Sequence, residues 1–125
     1  MKKLILSSAL ILAPLFAQAT ELKCEYGYAG VSLGTVKFSY DANNIPSEYA
    51  EVSLFFAPMQ KMPLTNEVPA ADEFLRLTIS KDDASNELLI MIKKPQGDTI
   101  PSILRNSGAP DGAKEMQGLC VASAS

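Results

Sequence analysis

Few residues in this chain have types suited to catalysis, and histidine is absent altogether. Without imidazole, nucleophile systems of the Ser-His-Asp and Cys-His type are excluded, as are ordinary zinc sites that use histidine. Carboxylates could still act as general acids or bases. They form two groups, Asp82, Asp83 and Glu87 in one and Glu67, Asp72 and Glu73 in the other. Both groups resemble solvated turn charges, and no nucleophile-elbow, phosphate-loop or dinucleotide motif is present, so we expect a protein that is not an enzyme.

Two patterns offer weak metal ligands. Asp82, Asp83 and Glu87 supply oxygen donors, but they lack the alternating acidic spacing of an EF-hand loop. Met59 and Met62 could hold Cu(I) through thioethers, although no histidine or cysteine stands beside them. Core packing explains methionines more often than metal binding does. The sequence therefore predicts no metal and no cofactor.

The N-terminal segment predicts export. Lys2 and Lys3 precede an apolar run from Leu4 to Phe16, and Ala17-Gln18-Ala19 matches a signal-peptidase site. The run is too short to span a bilayer, and Cys24 lies too far from the cleavage site to be a lipid-anchored residue. We therefore expect residues 1–19 to be removed. Residues 20–125 would form one periplasmic or secreted domain of a bacterium, without stable membrane insertion.

Charge narrows the class of partner. The whole chain has a net charge of −3, and removal of Lys2 and Lys3 with the signal segment leaves −5. An acidic domain is repelled by nucleic acid and by anionic lipid, so neither is expected as a main partner. An envelope protein or a small ligand fits better. The oligomeric state is left open.

The two cysteines, Cys24 and Cys120, lie near the two ends of the exported region. Their spacing is not that of a C-x-x-C redox pair, and an oxidising compartment favours a structural disulfide. The bond requires the first and last strands to be neighbours.

Most of the exported region alternates apolar and polar residues, which predicts β-strands. We expect strands over 21–28, 31–40, 49–57, 75–80, 88–92 and 113–121, with a bulge at Gly34 and a hairpin joining the fourth to the fifth. The predicted fold is all-β, a small antiparallel barrel or sandwich of about six or seven strands whose terminal strands share a disulfide. The barrel is preferred. One or two short helical turns could occur, at 69–74 and 101–106.

Two proline-rich stretches, 57–69 and 95–112, lack a clean period and are predicted to be long loops. Loops of that length often bind partners, although they could equally be plain surface connections. Phe55, beside the first stretch, is a candidate exposed aromatic residue. The candidate binding residues within the two loops are Met59, Lys61, Met62, Asn66, Arg105, Asn106 and Asp111.

In layout the chain resembles the C-type lysozyme inhibitors of Gram-negative bacteria, which are small exported β-barrels with cysteines near both ends. The local match is Ser107-Gly108-Ala109, followed here by Pro110-Asp111 where that family has a basic residue and a tyrosine. The resemblance therefore covers architecture without membership, and it implies inhibitor-type binding as one possibility.

Three hypotheses about function follow. The first is a non-catalytic binding protein that contacts an envelope protein or small ligand through its proline-rich loops, with inhibition of a cationic hydrolase as the most specific form. The second is a structural or stress-related envelope protein without a discrete site. The third is a carboxylate-based hydrolase.

Overall fold

The computed structural model describes residues 19–28, 30–80, 87–106 and 114–124, which form an eight-stranded antiparallel barrel. Each strand pairs with its neighbours in sequence, and the eighth closes on the first. The strands are β1 (Thr20–Tyr28), β2 (Val31–Tyr40), β3 (Tyr49–Leu54), β4 (Gln60–Glu67), β5 (Glu73–Ser80), β6 (Glu87–Lys93), β7 (Ile100–Asn106) and β8 (Glu115–Ala124). The all-β class and the preference for a barrel are confirmed, whereas residues 1–18 of the predicted signal peptide lie outside the described residues.

The predicted strand number is wrong, because both proline-rich stretches contain a strand. The first stretch includes β4 and the second includes β7, so neither is a long irregular loop. The helical turn expected over 101–106 is wrong for the same reason. The turn at 69–74 is a tight turn, closed by the Glu73 amide donating to the Ala70 carbonyl at 3.0 Å, and the described residues contain no helix.

The position of Pro63 explains how a proline fits inside β4. This strand pairs with β3 over Gln60–Pro63 and with β5 over Leu64–Glu67. Pro63 therefore lies where the strand exchanges one partner for the other, and a missing amide is tolerated where a sheet ladder is interrupted. β4 is thus paired with β3 along its first half and with β5 along its second half.

The predicted bulge at Gly34 is present. β1 and β2 pair with Tyr26 opposite Gly34 and Gly27 opposite Ser32, which leaves Leu33 as the extra residue of β2. Gly34 also lies so close to Leu54 that an added Cβ would meet its side chain. The phase change in the sequence thus reports a real irregularity of the sheet.

Alternating side chains fill the barrel interior, as expected for eight strands. The fully buried interior residues include Leu22, Cys24, Val36, Leu77, Ile79, Leu88, Ile90, Ile92, Leu104 and Met116. One polar pair lies among them, in which the Ser102 hydroxyl donates to the Met91 carbonyl at 3.0 Å and accepts from the Tyr26 hydroxyl at 2.7 Å. Because the described interior is occupied by side chains, ligand contacts are expected on the outer surface.

The predicted disulfide is confirmed. Cys24 and Cys120 are directly opposite on β1 and β8, and their bond joins the two strands that close the barrel. It links residues 96 positions apart, for which the chain-entropy model gives about 4 to 5 kcal/mol of stabilisation. A structural disulfide also indicates an oxidising, non-cytoplasmic compartment.

Candidate functional site

The connection between β3 and β4 is the most unusual backbone in the described residues. We call Phe55–Met59 the hairpin tip. It turns tightly at its start, where the Ala57 amide donates to the Leu54 carbonyl at 3.0 Å. The two central residues, Phe55 and Phe56, have φ of 53° and 66°. Positive φ at both central positions is the pattern of a type I′ turn, in which Asn-Gly, Asp-Gly and Gly-Gly are strongly preferred.

Phenylalanine is a poor residue for this conformation. Bulky side chains at positive φ bring Cβ too close to the backbone, and each such residue costs on the order of 1 to 3 kcal/mol. Backbone strain of this kind persists only where neighbouring contacts hold it, and it is concentrated at functional positions. The hairpin tip therefore holds two aromatic residues in a conformation that their own chemistry disfavours.

Hydrogen bonds from the barrel wall hold the turn in place. The Phe55 amide donates to the Leu33 carbonyl of β2 at 2.7 Å, which extends the β2–β3 ladder by one residue beyond β3. The Ser53 hydroxyl donates to the Ala57 carbonyl at 2.6 Å and closes the other side. The turn is thus built into a rigid scaffold.

The hairpin tip is also exposed and apolar. The Phe56 side chain is 84% exposed, and Phe55 and Met59 are exposed beside it. Val31, at the start of β2 and two residues before the Leu33 carbonyl that the tip contacts, adds a fourth exposed apolar side chain. A rigid group of exposed aromatic and aliphatic side chains is typical of a protein-binding surface.

The candidate binding residues of the first proline-rich stretch lie in two places, the hairpin tip and β4. Met59 belongs to the hairpin tip, whereas Met62 packs against the barrel core. The Lys61 ammonium lies 5.7 Å from the centre of the Tyr49 ring, and Asn66 is exposed opposite Leu77 of β5. Of the four candidate residues in this stretch, one therefore lies in the hairpin tip and three lie in β4.

The second group lies across the barrel, on the outer wall of β5 to β8. A groove of about 540 Å³ there is lined by Thr78, Glu87, Leu89, Arg105, Asn106, Lys114 and Glu115. It brings together Arg105 and Asn106 with Glu87. Arg105 donates to Glu115 at 2.7 Å, and Asn106 is buried at the end of β7. Asp82, Asp83 and Asp111 lie outside the described residues.

The carboxylates expected near the first stretch have a structural arrangement. Glu73 is buried, and both its oxygens accept hydrogen bonds from Arg76, at 2.8 Å each. The Ala70 amide adds a third at 3.0 Å, and Lys93 bridges to Asp72 at 3.0 Å. The hydrogen bonds from Arg76 lower the pKa of Glu73 to about 2, against the opposing effect of burial.

A carboxylate held this way does not suit acid–base work near neutral pH, because it stays ionised and its oxygens are occupied. Glu67 is exposed and accepts a hydrogen bond from Thr78 at 3.2 Å. The network therefore fixes the turn before β5 to the end of β6, and we assign it a role in folding.

Within the described residues, no group of three or more cysteine, aspartate or glutamate side chains is arranged to hold a metal ion. Met59 is exposed and Met62 is packed against the core, so the two thioethers occupy different environments. No helix among the described residues has the length and apolar character needed to cross a bilayer.

The sequence identified Phe55 as a candidate exposed residue, but the strand predicted over 49–57 puts Phe56 on the same face as Val52 and Leu54. β3 ends at Leu54, so that placement is wrong. Adjacent aromatic residues in an alternating strand are a signal that could have shown this, because Phe55 and Phe56 cannot both face the core. The structure adds the positive φ values, which no local pattern reports.

Comparison of the chain with protein-family models, with curated proteins and with solved structures finds no match.

Proposed function

We propose that this protein is an exported, non-catalytic binding protein, and that the hairpin tip is its contact with a basic envelope protein. The observation that carries the proposal is the pair Phe55 and Phe56, strained at positive φ, with the Phe56 ring almost entirely in solvent. An isolated surface phenylalanine would need no explanation, but one held in an unfavourable turn does.

The physical advantage of the strained turn is preorganisation. Aromatic anchors dominate binding energy when they enter a desolvated pocket, and fixing their direction beforehand lowers the entropy lost on binding. The hydrogen bonds from Phe55 to Leu33 and from Ser53 to Ala57 fix that direction. Phe56 would be the central anchor, and Val31 and Met59 would exclude water around it.

Charge supports a basic partner. The chain carries fourteen acidic and eleven basic residues, so its field attracts a cationic protein and repels nucleic acid. Because side chains fill the described interior of the barrel, we do not propose that the protein carries a ligand inside it. The most specific form of the proposal is inhibition of a cationic hydrolase, with the hairpin tip entering the hydrolase's cleft.

Binding to a defined basic protein tests the proposal. The purified, disulfide-bonded protein would be immobilised and exposed to envelope extract at low salt. The same protein would be added to assays of cationic cell-wall hydrolases, a C-type lysozyme included. We expect the wild type to retain a basic protein, or to reduce one hydrolase activity, with an effect that weakens as salt rises.

Phe56→Ala should weaken that effect by roughly tenfold or more, because it removes the anchor. Val68→Ala is the matched control, since Val68 is 87% exposed but lies in the β4–β5 connection at the other end of the barrel. Equal effects of the two variants would reject the tip. No retained protein and no inhibited hydrolase would favour a structural envelope protein instead.

A further inference from the structure

Met59 differs from the other methionines in its exposure to solvent. The chain contains five methionines, of which Met1 lies in the predicted signal segment. Met91 and Met116 are buried, at 4% and 0% exposure. Met62 is partly buried against the core, whereas Met59 is 48% exposed. Among the methionines that the structure describes, Met59 therefore has the side chain most accessible to reagents in solution.

The thioether of methionine reacts with oxidants that transfer an oxygen atom, of which peroxides are one class. With hydrogen peroxide, a sulfur lone pair attacks one peroxide oxygen, the O–O bond breaks, and the other oxygen leaves as water. The sulfur is oxidised to a sulfoxide and the peroxide is reduced, so the reaction needs no third reactant. Because the peroxide must reach the sulfur, burial of a methionine slows this step.

Other side chains that react readily with oxidants are absent or protected. The chain has no tryptophan and no histidine. Its two cysteines, Cys24 and Cys120, form the buried disulfide, so neither offers a thiolate. The same disulfide indicates an oxidising compartment. Met59 is thus the side chain on which a peroxide should act first.

Oxidation of Met59 would change the hairpin tip and leave the barrel core unaltered. Met59 is the last residue of the tip and directly precedes β4. Its sulfoxide would add a polar oxygen beside Phe56, on a surface whose exposed large side chains are apolar. A polar group that is buried in an interface without a hydrogen-bond donor lowers affinity. Met59 would exclude water around Phe56 in the proposed complex, and the sulfoxide would attract water instead.

We propose that Met59 is a site of oxidation by peroxides, and that its sulfoxide weakens the binding of a partner to the hairpin tip. The effect on binding rests on the proposed function, whereas the selective oxidation of Met59 does not. The two steps are therefore tested separately.

Peptide mapping after limited treatment with hydrogen peroxide tests the oxidation site. The folded, disulfide-bonded protein would be oxidised first and then unfolded and digested with trypsin, which separates Met59 from Met62 by cutting after Lys61. Met91 and Met116 fall on two further peptides. Mass spectrometry should show an added oxygen on the Met59 peptide roughly tenfold sooner than on those two. Equal rates at Met59 and Met116, or faster oxidation of Met62, would overturn the site.

The same treatment in urea is the control for the role of the fold. All the methionines are exposed in the unfolded chain, so they should then be oxidised at similar rates. An equal preference for Met59 in urea would show that the local sequence decides the reaction, and the argument from burial would be wrong. The selectively oxidised protein should also keep the urea midpoint of the untreated protein, since the core methionines are intact.

Two variants test the effect on binding, with the peroxide removed before the assays with basic envelope proteins. Peroxide treatment should weaken binding by the wild type roughly tenfold. Met59→Leu has no sulfur at that position, so its affinity, whatever its value, should not change on treatment. Met62→Leu is the matched control and should lose as much binding on treatment as the wild type does. An equal loss by treated Met59→Leu would reject Met59 as the regulatory residue.

The outcomes separate this inference from the proposed function. If the untreated protein retains no basic protein and inhibits no hydrolase, the proposed function fails and the effect of oxidation on binding fails with it, while the peptide map still decides the oxidation site. If untreated and fully oxidised protein bind the partner equally well, the proposed function stands and the regulatory role of Met59 is overturned.

Discussion

At the scale of single residues, Glu73 shows how strongly position decides the chemistry of a carboxylate. The side chain is 1% exposed and accepts two hydrogen bonds from Arg76. These contacts lower its pKa from 4.5 to about 2. Because the folded state favours the ionised form, Glu73 stabilises the fold fully above about pH 4.5, and that stabilisation is lost as the pH falls towards 2.

Glu73→Gln should therefore lower the free energy of unfolding at pH 7 by about 1.5 to 3 kcal/mol, the range for hydrogen bonds to a charged group. Because Arg76 and Lys93 are partly exposed to solvent, the loss of stability should be smaller than for a fully buried ion pair. Urea unfolding between pH 7 and pH 2 measures both the loss and its pH dependence. The variant should lose less stability on acidification than the wild type.

Asp72→Asn is the matched control, because Asp72 is 70% exposed and contacts Lys93 through one oxygen. It should change stability much less than Glu73→Gln does. If the two variants behave alike, or if the acid sensitivity of Glu73→Gln matches that of the wild type, the structural role of Glu73 is wrong.

The sequence did not show this role, although the partners of Glu73, Arg76 and the Ala70 amide, are each only three residues away, because nothing in the pattern shows that the carboxylate is buried. Locally, Glu73 follows Asp72 after a proline and has the pattern of a solvated first turn of a helix. By contrast, Cys24 and Cys120 could be paired from sequence, since a chain with two cysteines has one possible intramolecular pairing.

At the scale of elements, alternation predicted the strands that keep a strict period of two. It identified the β5–β6 hairpin, where each face of the sheet has a uniform environment, and the Gly34 bulge, where the alternation changes phase. It missed β4 and β7, where Pro63 and Pro101 indicated loops. Both prolines lie where a ladder is interrupted, Pro63 at the exchange of partners in β4 and Pro101 one residue before the β6–β7 pairing begins at Ser102.

The β3–β4 turn gives a prediction in which stability and binding change in opposite directions. Replacing Phe55-Phe56 by Asn-Gly supplies the residues that a type I′ turn favours. Relief of backbone strain should raise the free energy of unfolding by about 1 kcal/mol or more, reduced by the packing that Phe55 contributes. Urea midpoints measure the stability, and the assays with basic envelope proteins should show binding lost.

Phe56→Ala separates the two effects, because it removes the anchor ring while a non-glycine residue still occupies positive φ. It should lose binding without gaining stability. If the Asn-Gly variant is less stable than the wild type, then packing of the phenyl rings stabilises the turn by more than the backbone strain destabilises it. The argument from strain to binding would then fail.

At the scale of the whole molecule, the disulfide predicted that the first and last strands lie close together, and the structure shows that these strands pair and close the barrel. A bond between Cys24 and Cys120 requires β1 and β8 to be neighbours, and an antiparallel sheet whose first and last strands pair is closed. The number of strands could not be obtained in this way, because the bond constrains only the two ends.

Reduction of the disulfide should show how much of the stability depends on holding those ends together. The bond closes a loop of 96 residues, so its reduction should lower the free energy of unfolding by up to about 4 to 5 kcal/mol. In the reduced protein, the β1–β8 contact would be maintained by strand pairing alone. Urea midpoints with and without reductant measure the change, with thiol titration in denaturant confirming that two thiols are released. The double variant Cys24→Ala, Cys120→Ala controls for other effects of the reductant, since its midpoint should not respond. An unchanged wild-type midpoint after complete reduction would show that the eight-stranded ladder closes the barrel without the covalent bond.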